Sequence, residues 1–208
     1  MQPVTYTIRP FAQESALTAD VAVLRFGDRA VPRSLRSLPV IDTDCAGNYR
    51  RVIVVGSKTD LAAVLTQLLR AEMVDVEIGF VTGRRGARRA LSGTARRVPL
   101  IRDDTGHVIV GAATWQGADG PLHGEAVVDD TTLFDGEVFS VRIEPTGALP
   151  GLRAAVLTNR GRPQRWVAGR AAQLGTTGAR VTRDGVADGR TVKRSTFYRN
   201  VKGWLRVE

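Results

Sequence analysis

Two spacings of hydrophobic residues divide the chain. From Tyr49 the segment YRRVIVVGSKTDLAAVLTQLLRAEMVDVEIGFVTG opens with an unbroken apolar run at residues 52–55, as in a strand buried on both faces. Leu61, Val64, Leu65, Leu68 and Leu69 then recur at helical spacing, which predicts a helix over 59–70. Ser57 and Thr59 are candidate N-caps, and Asp60 suits the positive end of the helix dipole. Val74, Val76, Ile78 and Phe80 alternate with polar or small residues and predict a second strand, joined to the first by a right-handed crossover. Residues 21–26 read as a further strand, while Pro32, Pro39 and the loop-like DTDCAGN point to an irregular α/β edge over the first 48 residues.

After Gly93 the pattern becomes short apolar runs punctuated by DDTG, GADGP, FDG, EPTG, LPG, NRGRP, LGTTG and RDGVADG. Such spacing predicts antiparallel strands of a sandwich or barrel, with one helical piece near 166–173 weakened by Gly169. The expected fold class is an α/β N-terminal half over 1–92, nucleotide-binding-like and irregular at its start. A mostly antiparallel, sandwich-like β half follows over 93–208, packed against the first. Trp115, Trp166, Trp204, Phe197 and Tyr198 read as core and rim of that sandwich.

Composition narrows the chemistry. Of 208 residues 43% are hydrophobic, enough for a real core, and 25% are charged. The net charge is +9, and every cation except Lys58, Lys193 and Lys202 is arginine. A polyanionic partner and internal ion pairing both fit that excess. Cys45 is the single cysteine, which excludes an internal disulfide framework and a multi-cysteine zinc site. No signal-peptide pattern and no long apolar span occur, so the expected location is the cytoplasm, with the inner membrane face as a peripheral site. His107 and His123 lie in no metal-binding or hydrolase motif.

The strand-to-helix turn from Gly56 through Ser57, Lys58 and Thr59 to Asp60 is a candidate phosphate site, because a helix start presents unpaired N–H groups. An ordinary βα turn explains the same residues, since no P-loop or G-x-G-x-x-G is present. A second candidate is VTGRRGARRALSGTARR, where Arg84, Arg85, Arg88 and Arg89 are expected to share one helical face. That cluster could grip phosphates or anionic headgroups; a solvated basic face is the plain alternative. No RNA-binding signature accompanies it, so nucleic acid is not expected as a partner.

In order and spacing, VIVVGSKTDLAAVLTQLL, VDVEIGFV, GTARRVPLIRDDTGHVIVGAATW, GEAVVDDTTLFDGEVFSVRIEP and ARVTRDGV together resemble the diacylglycerol kinase family of lipid kinases, whose fold is similar to that of NAD kinases. The likeness covers roughly residues 49–205. It implies a bacterial ATP- and Mg²⁺-dependent transferase that phosphorylates a lipid hydroxyl in a cleft between its halves. The family's GGDGT signature falls on Gly56–Asp60, so that only the first glycine survives and Lys58 replaces an acidic residue. Its catalytic Glu, which follows an Asp-Gly, falls on Val186 after Asp184 and Gly185, and valine can neither take a proton nor ligate metal. The likeness also points to the acidic VVDDTTLFDG segment, with Asp129, Asp130 and Asp135, but no metal site is assigned there. The expectation is a diverged, catalytically impaired member, with Asp60 and Asp184 as the remaining substitutes for the lost acids. A nucleotide or lipid ligand, an anionic membrane surface and a homo-oligomer are all compatible with it; the alternative is a non-enzymatic basic module for anionic lipid or nucleic acid.

Overall fold

A computed structural model describes residues 19–83 and 86–208. The first part is assembled from β1 (Ala19–Arg25), β2 (Val40–Ile41), β3 (Tyr49–Val55), helix α1 (Lys58–Arg70), β4 (Glu77–Val81), helix α2 (Ala87–Ser92) and β5 (Ala95–Val98). Then come β6 (Ile101–Asp103), β7 (Val108–Ile109), β8 (Ala113–Gly117), β9 (Leu122–Val128), β10 (Thr131–Val138), β11 (Ser140–Pro145), β12 (Leu152–Leu157), β13 (Val167–Gly169), β14 (Ala171–Arg183), β15 (Val186–Arg199) and β16 (Trp204–Val207). Among the described residues no helix is long and apolar enough to cross a membrane.

The first sheet runs β2-β1-β3-β4-β16-β5, with only the β16–β5 pair antiparallel. Strand β3 lies inside it, and the period-2 geometry of a strand distributes its apolar run between the two faces. Val52 and Val54 join α1, Ile78 and Trp204 in one core, while Ile53 and Val55 pack with Leu35 and α2 on the other. This two-sided burial is why the run reads as continuous valine and isoleucine rather than as an alternation. α1 is set by a full capping box between Ser57 and Asp60, and Leu61, Val64, Leu65 and Leu68 form its buried stripe.

The second sheet is antiparallel, β13-β12-β11-β8-β14-β15-β6-β7, with β9 pairing to both β14 and β10. Its core is centred on Trp115, whose ring lies 5.9 Å from that of Phe197 and whose indole N–H donates to Ser195 Oγ at 3.0 Å. The strand-rich α/β-plus-β architecture expected from the hydrophobic pattern is present.

Several details differ from that pattern. The chain returns to the first sheet after Gly93, through β5 and again through β16, so the two sheets do not follow one cut in the sequence. Trp204 accordingly belongs to the α/β core, not to the sandwich. The expected helical piece at 166–173 is strand instead: Gly169 sits so close to β9 that a Cβ there would lie 2.5 Å from Val128 Cγ1, an approach that strand pairing accommodates only with glycine. DTDCAGN forms a 3-10 helix, Thr43–Asn48. Strand β4 starts at Glu77, with Val74 and Val76 buried ahead of it in the same core.

Thr66 couples the two parts. Its hydroxyl donates to Ala62 O at 2.8 Å and accepts the Val108 N–H of β7 at 2.9 Å. Replacing Thr66 with valine leaves that buried N–H unpaired, at a cost of about 1–3 kcal/mol. A thermal melt of Thr66→Val should show the midpoint lowered by several degrees, roughly 2–4 °C per kcal/mol for a chain of this length.

Candidate functional site

The Gly56–Asp60 turn places its polar groups against one another. Ser57 N and Ser57 Oγ both donate to Asp60 Oδ2 at 2.7 Å, and Asp60 N donates back to Ser57 Oγ at 3.2 Å. The Asp60 carboxylate thus lies where an anion would meet the helix start. Gly56 is required by this fold-back, since a Cβ there would stand 2.8 Å from Asp60 Oδ2. Thr59 Oγ1 donates to Asp184 O at 2.9 Å, fastening the helix start to the β14–β15 turn.

Asp184 is the centre of a second knot. Its carboxylate accepts N–H groups from Val110, Gly111 and Ala112 at 2.9, 2.6 and 3.0 Å. A carboxylate offers about four acceptor positions, so little capacity remains for a substrate proton. Burial pushes this carboxyl above the ordinary aspartate range, against the opposing pull of the three N–H donors and of Lys58. A Cβ on Gly111 would lie 2.7 Å from Asp184 Oδ1 and 3.1 Å from Lys58 Cδ, which places the lysine stem beside the same knot.

Magnesium does not fit this turn. The only carboxylate within it is committed to Ser57, and Lys58 brings a positive charge to the place where a cation would need acidic ligands. Val186, on the far side of the β14–β15 turn, is 55% exposed. It borders a cavity of about 630 Å³ between α1 and that turn, together with Ala62, Ala63, Arg70 and His107. Beside it the buried Asp103 carboxylate accepts Arg183 Nε at 2.5 Å, and Arg183 reaches Asp188 at 3.1 Å. Asp129, of the acidic segment, sits in the turn between β9 and β10 and accepts the N–H groups of Arg170 and Ala171, tying that turn to the junction of β13 and β14.

A larger cavity, about 1010 Å³, opens on the opposite face of the first sheet. It lies at the carboxyl ends of β1, β3 and β4, lined by Val55, Thr82 and Gly83 and by arginines 29, 33, 36 and 88. From β1 the chain passes to β2 on one side, and from β3 through α1 to β4 on the other, so the cavity occupies a topological switch point. Ligands of open α/β sheets bind at such points. All four arginines are exposed. The arginines in the ion pairs of the described residues are 50, 51, 97, 142, 153, 180, 183 and 206. No Asp or Glu lines the cavity among the described residues.

Of the expected arginine cluster, Arg84 and Arg85 lie outside the described residues, Arg88 lines this cavity, and Arg89 is exposed on α2. Arg97, farther along the same segment, is paired with Asp75 at 2.6 Å. Arg29, Arg33 and Arg36 carried no motif in the sequence. Their only signal was position, directly after the strand expected at 21–26.

The architecture defines a class. No protein-family profile and no curated protein sequence matches this chain. An NAD kinase from Archaeoglobus fulgidus, solved in complex with ATP, superposes with a TM-score of 0.64 at 13% identity, covering 91% of this chain and 93% of the other. A protein of Bacillus anthracis str. Sterne assigned as a diacylglycerol kinase superposes with a TM-score of 0.65 at 10% identity, covering 90% and 96%. The chain therefore has the NAD kinase/diacylglycerol kinase-like fold.

Proposed function

We propose that this protein is a catalytically impaired member of the kinase-like fold, which binds a phosphate-bearing nucleotide in the arginine-lined crevice. The observation that carries this reading is the inversion of charge between two neighbouring places. The βα turn holds its own carboxylate and a lysine, while four exposed arginines surround the crevice at the strand ends. Guanidinium groups match phosphate oxygens in pairs, which a lysine does not. The ATP carried by the archaeal NAD kinase supports nucleotide as the ligand.

Phosphoryl transfer needs a metal to neutralise charge and a base to orient the nucleophile. Lys58 and Val186 remove both, and losing a general base alone costs about 10² to 10⁴ in rate. Binding to an anionic membrane is the weaker reading, because Arg97 of the basic segment is committed to Asp75.

A thermal-shift panel of nucleotides, run beside radiolabelled ATP transfer to diacylglycerol-type lipids, tests the proposal. The expected result is a rise in midpoint with triphosphates and transfer at background, since a ligand that prefers the native state must stabilise it. Robust transfer abolished by Asp184→Asn would overturn it.

A further inference from the structure

We infer that the arginine crevice takes a run of adjacent phosphates without a divalent metal, so that Mg²⁺ weakens binding. The inference rests on the phosphate-ligand reading above and deepens it to a ligand chemistry. A site that binds a metal–triphosphate complex must supply oxygen ligands for the cation, usually carboxylates. Here the crevice is lined by Arg29, Arg33, Arg36 and Arg88, with no Asp or Glu among its described lining residues. The nearest strand-to-helix turn offers no free carboxylate either, since Asp60 is tied to Ser57, and its Lys58 lies beside the Asp184 knot rather than in the crevice.

Coulomb's law then sets the sign. A bare polyphosphate brings negative charge into a concave site of four guanidinium groups, each with donors arranged to hold two oxygens. Coordinated Mg²⁺ removes two of those charges and occupies the same oxygens, so it competes with the arginines. The net charge of +9 favours approach of the free polyanion and disfavours the neutralised complex. The shared chemistry is a phosphate chain, whether it belongs to a nucleotide or stands alone.

The experiment is calorimetric titration of the whole chain with inorganic tripolyphosphate and, separately, with ATP, each in EDTA and in excess MgCl₂. Binding in EDTA should be tighter by on the order of tenfold, the equivalent of losing one strong charge-assisted contact. Arg33→Ala and Arg88→Ala, exposed positions whose melts should match the wild type, should each weaken binding in EDTA by about tenfold or more. Arg142→Gln, on the second sheet, should leave it unchanged. Equal affinities for the two ligands would assign recognition to the phosphate chain, and preference for ATP would add the base; both support the inference. Binding that requires Mg²⁺ yet still depends on Arg33 and Arg88 overturns this inference and leaves the phosphate site standing. Absence of binding in both buffers, or affinity indifferent to both arginines, overturns the site as well.

Discussion

Substituting Asp184 by alanine is expected to lower the melting midpoint by roughly 6–12 °C, a far larger loss than a turn residue would ordinarily cause. The substitution strands the N–H groups of Val110, Gly111 and Ala112, all part-buried, and each orphaned donor costs about 1 kcal/mol or more. At about 3 kcal/mol in total, a chain of this length loses 2–4 °C per kcal/mol. The left-handed backbone at Asp184 (φ 48°) adds to the effect, since aspartate tolerates that region better than alanine. Asp184→Asn, which keeps one carbonyl acceptor but turns an NH₂ toward donors, should fall between the two.

The pH dependence of the same comparison follows from burial. Because the folded carboxyl titrates above its ordinary value of 3.8, its protonation favours the fold in acid, and that contribution is lost as pH rises through the raised value. Urea unfolding at a series of pH values should therefore show the wild-type advantage over Asp184→Ala shrinking as pH rises above 3.8. A difference that grows with pH would mean that the three N–H groups outweigh burial.

Arg51 carries the second large effect. Its side chain is buried. It donates to Glu77 at 2.7 Å, and to the carbonyls of Leu91 and Gly93 at 2.5 and 3.0 Å, closing the carboxyl end of α2. Arg51→Ala leaves the carbonyls of Leu91 and Gly93 without their donor, while Glu77 keeps Arg50 at 2.8 Å, and is expected to cost about 2–4 kcal/mol. Lysine offers one compact charge in place of a planar fork, so Arg51→Lys should recover little. Because α2 presents Arg88 to the crevice, both variants should also bind tripolyphosphate more weakly at temperatures where they remain folded. Denaturant melts together with titration at low temperature check the two effects separately. Full stability in Arg51→Lys would show that charge alone suffices.

The local features of this chain were legible in its sequence wherever one element's own periodicity or cap chemistry decided them. The apolar run of β3, the buried stripe of α1 and the Ser57–Asp60 start are of this kind, because strand alternation, helical spacing and a capping box are all satisfied within a few residues. So was the change from α/β to antiparallel texture after Gly93. Tertiary structure alone decided what the polar residues do. Asp60 and Asp184 looked like candidate acids in sequence, but whether a carboxylate is free depends on which N–H groups the fold brings to it, and those of residues 110–112 come from more than seventy positions away. Arg29, Arg33 and Arg36 meet Arg88 only because a parallel sheet gathers its carboxyl ends at one switch point, an arrangement no local pattern encodes. The return of residues 204–207 to the first sheet was hidden for the same reason: strand pairing is a long-range interaction, and WLRV carries no mark of the partner it will find.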